Sequence, residues 1–203
     1  MTASPWRGPA PLLLASASAT RRALLEAAGL PVETRAAGID ERALEAGHRG
    51  APADLALALA AAKCEAVART APGRVVVGAD QVLDLDGTVF HKPADAAAAH
   101  AHLTRLQGRT HALHSAVAVA VGGHVVERFV ETARLRMRPL DGAAIGAYLA
   151  AAGPAVTTSV GAYQLEGLGI HLFARIEGDH STILGLPLLP LLAILRARDL
   201  LSV

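Results

Sequence analysis

The sequence predicts an α/β (mixed α+β) protein built on a mixed sheet. Two observations predict that class. Short apolar runs of strand length alternate with Ala/Leu-rich stretches long enough for helices. Two long strand-like runs, "HALHSAVAVAV" and "HVVERFVETARLRM", meet at Gly122-Gly123, and such a hairpin cannot belong to a purely parallel sheet. A hydrophobic content of 52% against 18% charged residues supports a packed core rather than disorder.

The elements follow in order. Leu12-Leu13-Leu14, bounded by proline and small residues, reads as a buried strand. Thr20 to Ala28 reads as a helix with Leu24 and Leu25 inward and Gly29 as its stop. Pro31 to Ala36 reads as the next strand, and Gly38 to Gly50, which holds Asp40-Glu41, as a polar loop. Ala53 to Arg69 is an Ala/Leu helix, followed by the strand "RVVVGAD", which reads as ending at Gly78-Ala79-Asp80-Gln81. "DLDGTVF" reads as a hairpin through Asp86-Gly87. Ala94 to Leu106 is helical and closed by Gly108, and Asp141 to Ala152 is helical with Asp141 as N-cap. A Gly-rich section, "GAYQLEGLGIHLFARIEGDH", precedes a last helix from Pro187 to Arg198. No repeat, linker or clean boundary interrupts the chain, so residues 1–203 read as one domain.

Composition excludes some classes. No apolar run reaches the ~18 residues that span a bilayer. A net charge of +1 gives no global field for nucleic acid, and 3% aromatic residues leave few platforms for stacking bases. Neither a membrane nor a nucleic-acid partner is expected. Cys64 is the single cysteine, so no intrachain disulfide can form, and a reducing compartment fits. The opening "PAPLLLASASATRR" resembles a secretory signal, but Pro9 and Pro11 interrupt it and its apolar core barely reaches the ~7-residue minimum. The segment is expected to stay in the protein and the protein in the cytoplasm.

Chemistry-bearing residues cluster in a few places. Of 19 basic residues only Lys63 and Lys92 are lysine. Each is either a chance survivor of an Arg-rich bias or a position that needs a compact ammonium. Ser16, Ser18, Thr20, Arg21 and Arg22 stand where a strand turns into a helix. Free N–H groups and the helix dipole favour an anion there, and Arg supplies a fork for phosphate oxygens. An ordinary N-cap with exposed arginines is the alternative. Asp80 could hold a divalent metal or take a proton from water, or merely cap its strand. Lys92-Pro93 reads as a fixed lysine or a surface one before a helix. Asp40-Glu41 could add a second carboxylate to a metal or be solvated. His100 and His102 lie ~200° apart on a helix, and His111 and His114 on opposite faces of a strand. Neither pair can easily chelate one ion.

Taken together, "LLLASASATRRALLEAAGL", "GADQV", "HKPAD" and "GAYQLEGLGIHLFARIEGDHSTILGLPL" resemble, in order, the blocks of the Maf family of nucleotide pyrophosphatases. The resemblance runs from about Leu12 to Leu195. It implies two lobes around a central mixed, twisted sheet with a cleft, similar to the inosine-triphosphatase fold. It implies hydrolysis of nucleoside triphosphates, modified ones such as 7-methyl-GTP included, to the monophosphate and pyrophosphate with Mg²⁺ or Mn²⁺. Similar proteins often form homodimers. A non-catalytic nucleotide-binding regulator of septum formation is the alternative from another class. By the same resemblance Asp80 matches the proton acceptor, Ser16, Ser18 and Arg21 the phosphate-binding opening, and Lys92 the phosphate-facing lysine. Lys63 and Glu41 match further polar site positions, with Glu41 and Asp80 as metal ligands. Thr20, Gln81 and Glu166 match the positions that sort subgroups by base, and Gln81 and Glu166 resemble the subgroup acting on 7-methyl-GTP. Thr20 stands where that subgroup has a bulky aromatic, and "TTSVGAY" where many relatives have Asp-Lys-Ala-Gly.

Overall fold

Strand β1, Leu12–Ala15, is buried at all four positions, and its neighbours explain why. In this computed structural model, which describes residues 4–203, β1 lies parallel to β2 (Val32–Thr34) and to β3 (Val76–Leu85). Alternate side chains of a strand point to opposite faces. Leu12 and Leu14 join a cluster with Leu25, Val77, Leu186, Leu191 and Leu195. Leu13 and Ala15 join a second one with Ala61, Cys64, Val67 and Val76. Of these partners, Leu25 sits on helix α1 (Ala19–Ala27), Ala61, Cys64 and Val67 on α3 (Pro52–Ala68), and Leu191 and Leu195 on a C-terminal helix, Leu188–Ala197. A strand covered on both faces reads as a continuous apolar run, as "LLLA" does.

The remaining strands are β4 (Thr88–Phe90), β5 (Thr110–Val121), β6 (His124–Met137) and β7 (Phe173–Glu177). The seven form one mixed sheet in the order β2-β1-β3-β5-β6-β7, with β4 antiparallel to the end of β3. Both expected hairpin turns form. Asp86 and Gly87 have φ of 52° and 82°, and Gly122 and Gly123 of 63° and 84°, as a two-residue turn with paired positive φ requires. No helix among the described residues is long and apolar enough to cross a membrane.

The chain divides into two compact units, one of residues up to Gln81, Ser115–Glu131 and His180–Val203, the other of Val82–His114 and Thr132–Asp179. Strands β3, β5 and β6 each begin in one unit and end in the other. A boundary that cuts strands in their middle leaves no linker for the sequence to show.

Two expectations need correction. Gly38 to Gly50 is not all loop: Glu41–Gly47 forms helix α2, with Asp40 as its N-cap accepting from the Ala43 N–H at 3.0 Å. Strand β3 does not end at Asp80 but runs on to Leu85, because β4 extends its pairing. A 3₁₀ turn, Gly153–Thr157, precedes the Gly-rich section, which takes up two more at Val160–Ala162 and Leu168–Leu172 and then β7, which pairs antiparallel with the end of β6. The other helices lie close to their expected bounds, α4 at Ala96–Leu106 and α5 at Gly142–Ala152.

The second unit buries a histidine. His111 and His114 do face opposite ways: His114 meets Asp84 and Thr132, while His111 is buried. His111 Nε2 lies 2.7 Å from the Tyr163 hydroxyl, its ring packs on Tyr163 and Phe173, and its Nδ1 is buried without a partner. Burial lowers its pKa to about 4, against ~6.5 in an unfolded chain. The imidazole is therefore neutral in the fold. Its contribution to stability is complete above the unfolded value and is lost as pH falls toward 4 and below, by about 3 kcal/mol. Wild type should lose about that much more than His111→Phe in urea titrations between pH 7 and pH 4. Equal losses would exclude the buried imidazole as the cause. The chain's two tyrosines, Tyr148 and Tyr163, both lie in this unit and report its unfolding.

Candidate active site

The polar centre of the first unit is assembled on β3. Gly78 comes first, because a Cβ there would lie 2.3 Å from the Ala60 carbonyl oxygen and 2.6 Å from the Cys64 N. Only glycine lets α3 approach the strand so closely. That approach brings Lys63 of α3 to Asp80 of β3, with Nζ 2.6 Å from Asp80 Oδ1. The same ammonium donates to Glu41 Oε2 at 2.8 Å, from the first turn of α2. The Asp40-Glu41 pair thus divides its work: Asp40 caps the helix and Glu41 reaches the lysine.

Lys63 and Asp80 are buried, at 9% and 8% exposure, while the Glu41 side chain is half exposed. Burial pushes the Asp80 carboxyl above its ordinary range, with Glu41 adding to the push; the charges of Lys63 and Arg21 and the Lys63 hydrogen bond pull it back only in part. A carboxylate so raised is a stronger proton acceptor than an exposed one.

Arg21 braces the same unit. Its Nη1 donates to the Ala79 carbonyl at 2.8 Å and to Ser16 Oγ at 3.3 Å, and its Nε to the Gly185 carbonyl at 2.8 Å. Burial works against the guanidinium charge, and Asp80 and Glu41 favour it; the group stays protonated. Ser18 is the N-cap of α1 and accepts from the Arg21 N–H, while Ser16 Oγ accepts from the Ser18 N–H. Thr20 is half-buried in the first turn of α1. The exposed Arg22 pairs with Glu26 on the helix surface.

Gln81 follows Asp80 on the strand and so faces the other way. Its Nε2 donates to Ser115 Oγ at 2.9 Å and to the carbonyls of Thr182 and Ile183 at 3.2 and 3.0 Å. Ser115, Thr182 and Gly185 are contacts that sequence reasoning missed. Gly185 alone left a signal, as the start of the quoted Gly-Leu-Pro. With φ of +89° it turns the chain where a Cβ would press on Arg21 Nε at 3.3 Å.

Two expected site residues belong to the second unit. Lys92 is exposed just after β4, before the buried Pro93. Glu166 is exposed in the turn from Gln164 to Gly167, which closes through a Gly167 N–H to Gln164 carbonyl bond of 3.2 Å. Cys64 is buried and donates weakly to the Val76 carbonyl, and burial pushes its thiol up to about 12. It packs and does not react.

The fold and this centre define an α/β protein whose strand β3 carries a buried carboxylate matched to a lysine and an arginine. The sequence model described as Maf-like protein matches residues 11–198, and the chain belongs to the Maf family. It is 57% identical to a nucleoside triphosphate pyrophosphatase of Nitrobacter winogradskyi over 97% of this chain and 98% of that protein. It is 56% identical to one of Bradyrhizobium diazoefficiens over 98% of each. A 7-methyl-GTP pyrophosphatase of Rhizobium meliloti is 54% identical over 91% of this chain and 94% of its own length.

Proposed function

We propose that this protein is a nucleoside triphosphate pyrophosphatase that splits the α–β phosphoanhydride of nucleoside triphosphates, 7-methyl-GTP among them. One observation carries the catalytic reading: a buried Asp80, raised in pKa, held by Lys63 and joined through it to Glu41. The names of the relatives with which it shares more than half its residues support the same activity.

Water oxygen bonds to the α-phosphorus, the bond to the bridging oxygen breaks, and pyrophosphate leaves with the electron pair. Asp80 takes the proton of the attacking water. Lys63 and Arg21 oppose the charge that gathers on the phosphate oxygens, and the N-terminus of α1 with Ser16 and Ser18 offers donors to the same oxygens. Lys92 as a phosphate contact and Thr20, Gln81 and Glu166 as base-sorting positions rest on the family resemblance. So does a homodimer, while a cytoplasmic location rests on the single cysteine and the interrupted opening segment.

The donor set suits a hard divalent cation. Asp80 and Glu41 present carboxylate oxygens to one point, now taken by the Lys63 ammonium. Among the described residues no group of three or more His, Cys, Asp or Glu converges. Mg²⁺ or Mn²⁺ held by these two carboxylates would have to displace the Lys63 ammonium from between them, and would draw its other ligands from water and substrate phosphates, as Mg²⁺ commonly does. Bound there, the ion supplies charge neutralisation at the phosphates.

Pyrophosphate release from a panel of nucleoside triphosphates, with Mg²⁺, Mn²⁺ or a chelator, tests the reading. Metal-dependent release from at least one member is expected. Binding without turnover across the panel would overturn it in favour of a nucleotide-binding regulator.

A further inference from the structure

The pair Thr158-Ser159 has a defined place in the second unit. Ser159 Oγ donates to the Tyr163 carbonyl at 2.5 Å. Thr158 Oγ1 accepts from Gln164 Nε2 at 2.9 Å and donates to the Ala155 carbonyl at 2.7 Å. Both hydroxyls therefore hold the two residues that lead into the turn bearing Glu166. The turn is closed further by two amides, Gly167 and Gly169, that donate to the Gln164 carbonyl at 3.2 and 3.1 Å. A Cβ on Gly169 would lie 2.4 Å from that oxygen, so no side chain fits there. Tyr163 is anchored in turn to His111 of β5, and the Tyr148 hydroxyl holds the Ala162 carbonyl at 3.1 Å. Among the described residues Glu166 itself has no partner, and it stands exposed on this braced turn.

We infer that Thr158 and Ser159 are positioning residues for Glu166: their hydroxyls fix the backbone turn from which its carboxylate reaches the nucleobase. The inference rests on the reading of Glu166 as a base-recognition residue. A backbone turn set in advance leaves only the Glu166 side chain to be ordered on binding, and so discriminates better between bases than a mobile turn. Neutral hydroxyls do this without adding a charge beside the recognition group.

The test uses GTP, 7-methyl-GTP and UTP with Thr158→Val, Ser159→Ala, Thr158→Ser and Glu166→Ala. Loss of one bracing hydrogen bond should raise KM for the preferred nucleotide about fivefold and lower its advantage over the next by a similar factor. kcat should stay within about twofold, since neither hydroxyl touches the reacting atoms. Thr158→Ser should restore the wild-type profile. Unchanged selectivity in Thr158→Val and Ser159→Ala, with a changed profile in Glu166→Ala, overturns the positioning role and leaves the role of Glu166 standing. An unchanged profile in Glu166→Ala overturns both. A fall in kcat equal for all three nucleotides overturns the inference as well, since it marks a general structural role.

Discussion

Asp80→Asn should lower turnover by about 10²- to 10⁴-fold, the usual share of a positioned general base, and leave the fold in place. Asn keeps the shape of Asp and an oxygen that can accept from Lys63 Nζ, which lies 2.6 Å from Asp80 Oδ1. What it loses is the ability to take a proton. The stability cost should be small. Burial already disfavours ionised Asp80, so a neutral side chain removes a desolvation cost, and Lys63 keeps the Glu41 carboxylate at 2.8 Å as its charge partner. Thermal melting should therefore shift by only a few degrees while pyrophosphate release collapses.

Lys63→Met separates this role from a merely structural one. Removing the ammonium takes away the largest influence that holds the Asp80 carboxyl down, so the carboxyl rises further. The base form then exists only at higher pH. Activity lost near neutrality should partly return as pH is raised in Lys63→Met and stay absent in Asp80→Asn. Asp80→Asn turnover within tenfold of wild type would refute the proton acceptor.

Much of the fold was readable because its signals are local. "LLLA" is apolar throughout because two helical layers cover it, and the caps at Ser18 and Asp141 and the turns at Asp86-Gly87 and Gly122-Gly123 need only near neighbours. What escaped is decided at a distance. Helix α2 has no buried residue and so no apolar stripe to betray it. Strand β7 is a five-residue edge strand fixed by its pairing with β6. Asp80 looked like a strand end because a buried carboxylate inside a strand makes sense only once a partner is known. That partner lies 17 residues away on α3, and Glu41 lies 22 from the same lysine. Resemblance marked all three as site positions without showing that one ammonium joins both acids. The Arg21 bond to Gly185 spans 164 residues, beyond any local pattern.

Gly78→Ala should damage stability and chemistry together, because one close approach sets both. The added Cβ would lie 2.3 Å from the Ala60 oxygen, 2.6 Å from the Cys64 N and 2.7 Å from Cys64 Cβ. Two of these are backbone atoms of α3 and cannot rotate aside, so the helix itself must move. Overpacking of this kind costs about 1–3 kcal/mol, or roughly 2–12 °C in melting temperature for a chain of this size. Lys63 immediately precedes Cys64 on that helix, so lifting α3 draws the ammonium away from Asp80. A charge-assisted bond weakens steeply once it passes hydrogen-bond length. Turnover of the folded fraction should then fall as well, and with the signature of Lys63→Met: partial recovery as pH is raised. Gly73→Ala is the control, since a Cβ there meets nothing within 4 Å and should change neither quantity. If Gly78→Ala melts within 2 °C of wild type and turns over normally, α3 shifts freely over β3. The Lys63–Asp80 distance would then not depend on the glycine.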